Sequence, residues 1–198
     1  MTKSLSRRSL LRMAAASAPL LAAPALVRAQ STFVEDPLRQ SAPPPVRNAS
    51  SFVRQDWREH FSELRNGAIV CDTRSRALHY WSGDGGVYRL YPTSVPLTEE
   101  LTRRGFTEVV RKKVGPSWTP TANMRKRDPS LPDFMPPGPG NPLGTHAMYL
   151  TWPAYLIHGT HDTRKIGRRS SSGCIGLYNE QVEELFALVE IGTQVRLI

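Results

Sequence analysis

The stretch from Gly67 to His158 limits the possible folds most, because its apolar residues come in short β-rich runs closed by turn residues rather than in helical stripes. The runs are Ala68 to Thr73, Ala77 to Trp81, Val87 to Pro92, Thr107 to Lys113, Thr145 to Trp152 and Tyr155 to His158, and Val195 to Ile198 adds a last one. Ser82-Gly83-Asp84-Gly85-Gly86 reads as a tight turn. The pattern predicts a mainly β fold, a sandwich- or barrel-like arrangement of mixed sheets.

Two helices interrupt it. Val53, Trp57, Phe61 and Leu64 recur at helical spacing before Gly67, which predicts a short amphipathic N-terminal helix over residues 52–66. Val182, Leu185, Phe186 and Val189 form the stripe of the principal helix, after Cys174, with Asn179 as its expected cap and Gly192 as its stop. The proline-rich segment from Gly115 to Gly144 is too long for a passive connection and is expected to carry function as a lid or substrate wall. No repeat and no second core is visible, so residues 67–198 read as one catalytic-sized domain, with residues 30–51, which hold Pro43-Pro44-Pro45, as a flexible linker.

The net charge of +9 would suggest a nucleic-acid partner if it lay on the folded domain. Residues 1–29 carry five of those charges and no acid, leaving only a modest excess for the rest, so no nucleic-acid partner is expected. That leader has a basic start, an apolar stretch from Met13 to Leu26 and the small-residue ending Val27-Arg28-Ala29, the pattern of a cleaved signal peptide. Ser6-Arg7-Arg8-Ser9-Leu10-Leu11 resembles a twin-arginine export signal. The expected location is the periplasm. No apolar run reaches the roughly 18 residues of a membrane span, so none is expected in the mature form.

In that oxidising compartment Cys71 and Cys174 could pair, but their surroundings differ. Cys71 sits in an apolar run, whereas Cys174 follows the small polar turn Ser170-Ser171-Ser172-Gly173, which suggests an exposed thiol. His158, in Ile157-His158-Gly159-Thr160, precedes it by sixteen residues. An imidazole that takes the thiol proton makes a nucleophile, and the amides of Gly173 and Cys174 could face an oxyanion. Each residue alone also fits a structural role, as a strand histidine or a buried thiol. Together, each beside a glycine, they favour catalysis.

These segments, with Pro116-Ser117-Trp118-Thr119-Pro120-Thr121 and Asn141-Pro142-Leu143-Gly144 between, resemble the L,D-transpeptidases, bacterial cell-wall enzymes, over about Gly67 to Ile198. The resemblance implies Cys174 as nucleophile, His158 as base and Ser171 as supporting serine, with the Gly159 carbonyl orienting the imidazole. It implies peptidoglycan stem peptides as substrate, no cofactor, and an amine acceptor that is either a second stem peptide or an envelope or outer-membrane protein. Thr160, Ser172, Trp118 and Asn141 are candidate substrate contacts. Gly176 departs from the pattern, which has arginine two residues after the cysteine, and Arg168 or Arg169 is the expected substitute for the missing cation.

Rival readings are a peptidoglycan-binding scaffold without activity and a hydrolase using water as acceptor. His158, His161 and Cys174 could instead ligate zinc, but the spacing is not that of the helical metalloprotease motif, and no metal is expected. His60, His79 and His146 read as structural, as do Trp152 and Tyr155.

Overall fold

The computed structural model describes residues 53–198; the leader and the linker proposed for residues 1–51 lie outside the described residues. Ten strands follow in order: β1 (Ala68–Asp72), β2 (Ala77–Trp81), β3 (Tyr88–Pro92), β4 (Val95–Pro96), β5 (Gly105–Val114), β6 (His146–Leu150), β7 (Leu156–His158), β8 (Arg169–Ser171), β9 (Ile175–Gly176) and β10 (Gln194–Leu197). Helix α1 (Ala122–Arg127) lies between β5 and β6, and α2 (Asn179–Leu188) between β9 and β10. Eight strands form one mixed sheet in the order β3-β2-β1-β10-β5-β6-β7-β9, and β4 pairs with β8 separately. The mainly β reading and its principal helix are therefore correct.

The last strand enters the middle of the sheet. β10 runs parallel to β1, with Ile69 opposite Val195 and Cys71 opposite Leu197, and antiparallel to β5. β1 is buried on both faces, which is why it reads as an unbroken apolar run. Its alternate residues feed two cores. Ile69 and Cys71 join Val195, Met148, Ile157 and the buried α2 residues Val182 and Leu185, while Ala68 and Val70 pack with Phe61, Leu64 and Trp81 on the other face. Burying Val182 and Leu185 stabilises the docked α2 by roughly 1.5–3 kcal/mol each. Lys112 Nζ donates to the Phe186 and Val189 carbonyls at 2.5 and 2.6 Å, satisfying acceptors that the end of α2 leaves open.

Two expectations about helices need correction. The described part of the segment predicted as a helix over residues 52–66, residues 53–66, does not form one: only a 3-10 turn, Trp57–Glu59, is present there, capped by Asp56 accepting from the Arg58 N–H at 3.0 Å. Phe61 and Leu64 are buried as the periodicity implied, but Val53 is 61% exposed and cannot complete a stripe. Tertiary burial of two side chains decides the path of so short a segment. In α2 the N-cap is Tyr178, with no side-chain cap bond; Asn179 is the first helical residue and its side chain bonds elsewhere. The proline-rich segment holds a helix that its composition concealed, α1, started by Thr121 Oγ1 accepting from the Met124 N–H at 3.2 Å.

Candidate active site

β7 and β9 are short parallel neighbours, with Ile157 opposite Ile175 and His158 opposite Gly176. Alternation sends Ile157 and Ile175 into the main core. It leaves Leu156 and Cys174 on the other face, in a small cluster with Leu143 and Ala147 against which Trp118 and Tyr149 pack. His158, two residues beyond Leu156, shares that face. The sheet thus brings the imidazole and the thiol to one side, although sixteen residues separate them in the chain.

The thiol sits on a turn only glycine readily makes: Gly173 has φ +141°. Ser171 Oγ donates to the Cys174 carbonyl at 2.6 Å and accepts from the Gly173 N–H at 3.3 Å, so Ser171 shapes the turn from behind. This also corrects one oxyanion assignment, since the Gly173 amide is committed to Ser171; the Cys174 amide remains the candidate donor. Cys174 is not exposed as its polar neighbours suggested: it is 9% exposed, because Leu143 and Leu156 pack beside it. Its Sγ donates to the Ala154 carbonyl at 3.5 Å. Ala154 has φ +57°, a left-handed conformation that costs a non-glycine residue on the order of 1 kcal/mol or more.

His158 Nδ1 bonds to the Gly159 carbonyl. A carbonyl only accepts, so Nδ1 carries the proton and Nε2 presents its lone pair. Burial pushes the imidazole down to about 4, with the Gly159 carbonyl opposing and the Lys165 charge adding. Burial likewise pushes the Cys174 thiol up to about 11, opposed by a bond from the Leu156 backbone. The resting pair is therefore a neutral thiol and a neutral imidazole, not an ion pair, and no hydrogen bond joins them among the described residues. Acid-base pairs of this kind often tighten only when substrate is bound.

The other predicted residues separate by role. Asn141 is 1% exposed and ties the long segment together: its Nδ2 donates to the Pro116 and Pro136 carbonyls at 3.0 and 2.9 Å, and its Oδ1 accepts from the Leu143 N–H at 2.8 Å. That clamp, with the Trp118–Met135 bridge, lays Trp118 against the Cys174 cluster. Thr160 is buried and Ser172 exposed. Arg169 pairs with Glu99 at 2.8 Å, which removes it as a free substitute for the missing arginine, while Arg168 is exposed. Nor does Gly176 open a space. It bridges to Ser94 through two backbone bonds of 2.8 and 3.1 Å, and Ser94 Oγ fills the position where a Cβ would stand. Both cysteines are free, and no group of three or more metal-ligating side chains converges among the described residues.

Sequence reasoning missed Ala154, Ser94 and Arg111. Arg111 lies on β5 opposite Tyr149, with its guanidinium carbon 3.4 Å from the ring centroid. Alternation of charge along β5 was the only available signal, since Lys112 turns to α2 and Arg111 turns to the face of Tyr149.

The profile of the YkuD L,D-transpeptidase catalytic domain matches residues 66–197. A Fuscovulum blasticum protein named for an L,D-transpeptidase in the ATP synthase subunits region is 56% identical over 203 residues, spanning 100% of both chains. ErfK/SrfK of Escherichia coli strain K12, named a probable L,D-transpeptidase, is 40% identical over 68% of this chain and 44% of its own length. The chain thus spans less than half of that relative. An L,D-transpeptidase structure from Mycobacterium smegmatis shares the fold at a TM-score of 0.53, with 21% identity over 67% of this chain and 58% of that one.

Proposed function

Because this chain belongs to the L,D-transpeptidase catalytic-domain family, we propose that it transfers peptidoglycan stem peptides to an amine acceptor through a thioester on Cys174. The single observation that carries this reading is the placement of Cys174, immediately before β9, and His158, on the adjoining β7, on one face of the sheet, with Nδ1 bound to a backbone carbonyl and Nε2 left as the basic atom. The thiol first leaves the Ala154 carbonyl and passes its proton to Nε2. The thiolate then attacks the carbonyl of the third stem residue, diaminopimelate, and the Cys174 amide faces the oxyanion. Collapse breaks the peptide bond to D-alanine, whose nitrogen takes the proton back from Nε2. In the second half an amine attacks the thioester, gives its proton to Nε2, and the thiolate leaves and is reprotonated.

Burial of Sγ among Leu143, Leu156 and Trp118 supports transfer over hydrolysis, because a bound amine then competes with little water. Arg111, held over Tyr149 beside that cluster, is a cation placed to meet a stem-peptide carboxylate, since Arg169 is engaged and Gly176 is filled. The acceptor is a diaminopimelate side-chain amine, giving a 3,3 crosslink, or an amine of an envelope protein. The enzyme works in the periplasm, exported by the twin-arginine leader of residues 1–29. Incubating the mature protein with a tetrapeptide donor and following mass tests the reading. A Cys174 adduct one D-alanine lighter than the donor, resolved by added amine, supports it; a protein unmodified by donor and by a carbapenem favours the scaffold alternative.

A further inference from the structure

Asn179 begins α2, where a capping role is the ordinary expectation, yet its Oδ1 accepts from the Thr160 N–H at 3.1 Å and the Thr145 N–H at 3.3 Å. The first of these contacts reaches the base. The Thr160 N–H and the Gly159 carbonyl belong to one peptide unit, and that carbonyl holds His158 Nδ1. A peptide unit is planar and stiff, so a bond at its N–H end fixes the direction of its C=O end. It also polarises the carbonyl and strengthens it as an acceptor.

Two glycines show how closely this arrangement is built. A Cβ on either Gly159 or Gly144 would overlap Asn179 Oδ1, and one on Gly159 would also stand 3.1 Å from Val182 Cγ1. The backbone on both sides is therefore pressed against the amide, and glycine alone allows it. Asn179 is fixed in turn by α2, which is rooted in the main core by Val182 and Leu185.

We propose that Asn179 is a positioning residue for the base: through the Gly159–Thr160 peptide it holds His158 as the Nδ1–H tautomer, with Nε2 aimed at the thiol. Through the Thr145 N–H it ties the end of the proline-rich segment, next to Leu143, to the same point. The proposal rests on the reading of His158 as general base, and its test separates the two. In the mature protein, 15N NMR of labelled histidine reports the His158 tautomer without any turnover. Asn179→Ala should shift His158 toward the Nε2–H tautomer. It should lower the acylation rate constant by about 10- to 100-fold while the donor concentration for half-saturation changes little.

Asn179→Asp keeps the acceptor oxygen and should restore the native tautomer and most of the rate. Should the alanine variant fail to fold, Asn179→Leu fills the same volume without an acceptor and is expected to behave as the alanine variant does. A native tautomer and a rate within twofold of wild type in Asn179→Ala or Asn179→Leu would overturn the proposal, even if the melting temperature fell. Loss of turnover in the wild type with the expected tautomer shift in the variant would overturn the reaction and leave the positioning intact.

Discussion

The described domain contains two cysteine–histidine neighbourhoods, and they differ in whether the two side chains share a face. On β1 and β2, Cys71 lies one register position from His79, which sits opposite Val70. At β9 and β7, Cys174 immediately precedes β9 and lies two residues before Gly176, which sits opposite His158. Burial pushes both imidazoles down to about 4 and raises both thiols. Desolvation therefore does not distinguish them. Geometry does: Cys71 points into the main core, whereas His79 is on the other face, stacked on Trp81 and bonded to Tyr88 OH at 2.9 Å. Cys174 and His158 share a face, each beside a glycine. A reactive pair needs backbone that can turn at both members and a side on which they meet, and the β1–β2 pair has neither.

The sharpest test of that contrast removes each thiol. Cys174→Ala should abolish adduct formation with a tetrapeptide donor, read by intact-protein mass. Cys71→Ala should leave acylation within about twofold and cost on the order of 1 kcal/mol of stability, the scale of a small core truncation. Adduct on the Cys174→Ala protein would erase the distinction between the two regions.

Removing each imidazole comes next. His158→Ala should slow acylation by about 10²- to 10⁴-fold, the range for loss of a positioned base. His79→Ala should leave the rate nearly unchanged and lower the melting temperature, because it opens a cavity between Trp81 and Tyr88. His161, exposed and outside the cluster, should behave as wild type when changed to alanine. Equal losses at 158 and 161 would point back to a metal.

These assignments show what a sequence can reveal about such a site. The strand pattern and the pair of Gly-flanked residues were legible because alternation and turn chemistry are local. Burial of Cys174 was not, since it depends on Leu143 and Trp118 arriving from a segment whose prolines conceal its path. Asn179 was legible only as a cap, because its true partners, Thr145 and Thr160, are remote in sequence. The 53–66 segment misled for a related reason: helical spacing of Trp57, Phe61 and Leu64 matched the demand for burial, but the surface they meet is a sheet face that accepts them without a helix.

The shared depression of the two imidazoles gives a third expectation, on stability. An unfolded histidine titrates near 6.5 and burial pushes these two down to about 4, so the unfolded chain binds more protons between those values. Stability contributed by neutral burial is thus complete above about pH 6.5 and is lost as pH falls toward 4, by about 3 kcal/mol for each histidine. Urea unfolding across that window should show the loss, and His79→Gln should remove roughly one histidine's share. A flat profile in wild type would mean that neither ring is desolvated as the structure describes.

The smallest effect concerns Gly176, where the sequence departs from the family pattern and where two accounts make different claims. If the glycine simply vacates space, Gly176→Arg should be accepted without strain. The structure instead puts Ser94 Oγ in that space and binds Gly176 to Ser94 through both backbone bonds, with His158 Cε1 3.9 Å from where a Cβ would stand. Arginine at 176 must then displace the hydroxyl, crowd the imidazole, or part the bridge. The expected cost is about 1–3 kcal/mol, as for other overpacked buried sites. Ser94→Gly removes the obstacle, so the double variant Ser94→Gly with Gly176→Arg should recover most of what the single one loses. Ser94→Gly alone should change little beyond the flexibility glycine adds. Chemical denaturation of the four proteins measures the coupling directly. Additive losses would show that Ser94 and Gly176 do not contend for one position, and the missing arginine would then have to be explained by the substrate rather than by its neighbour.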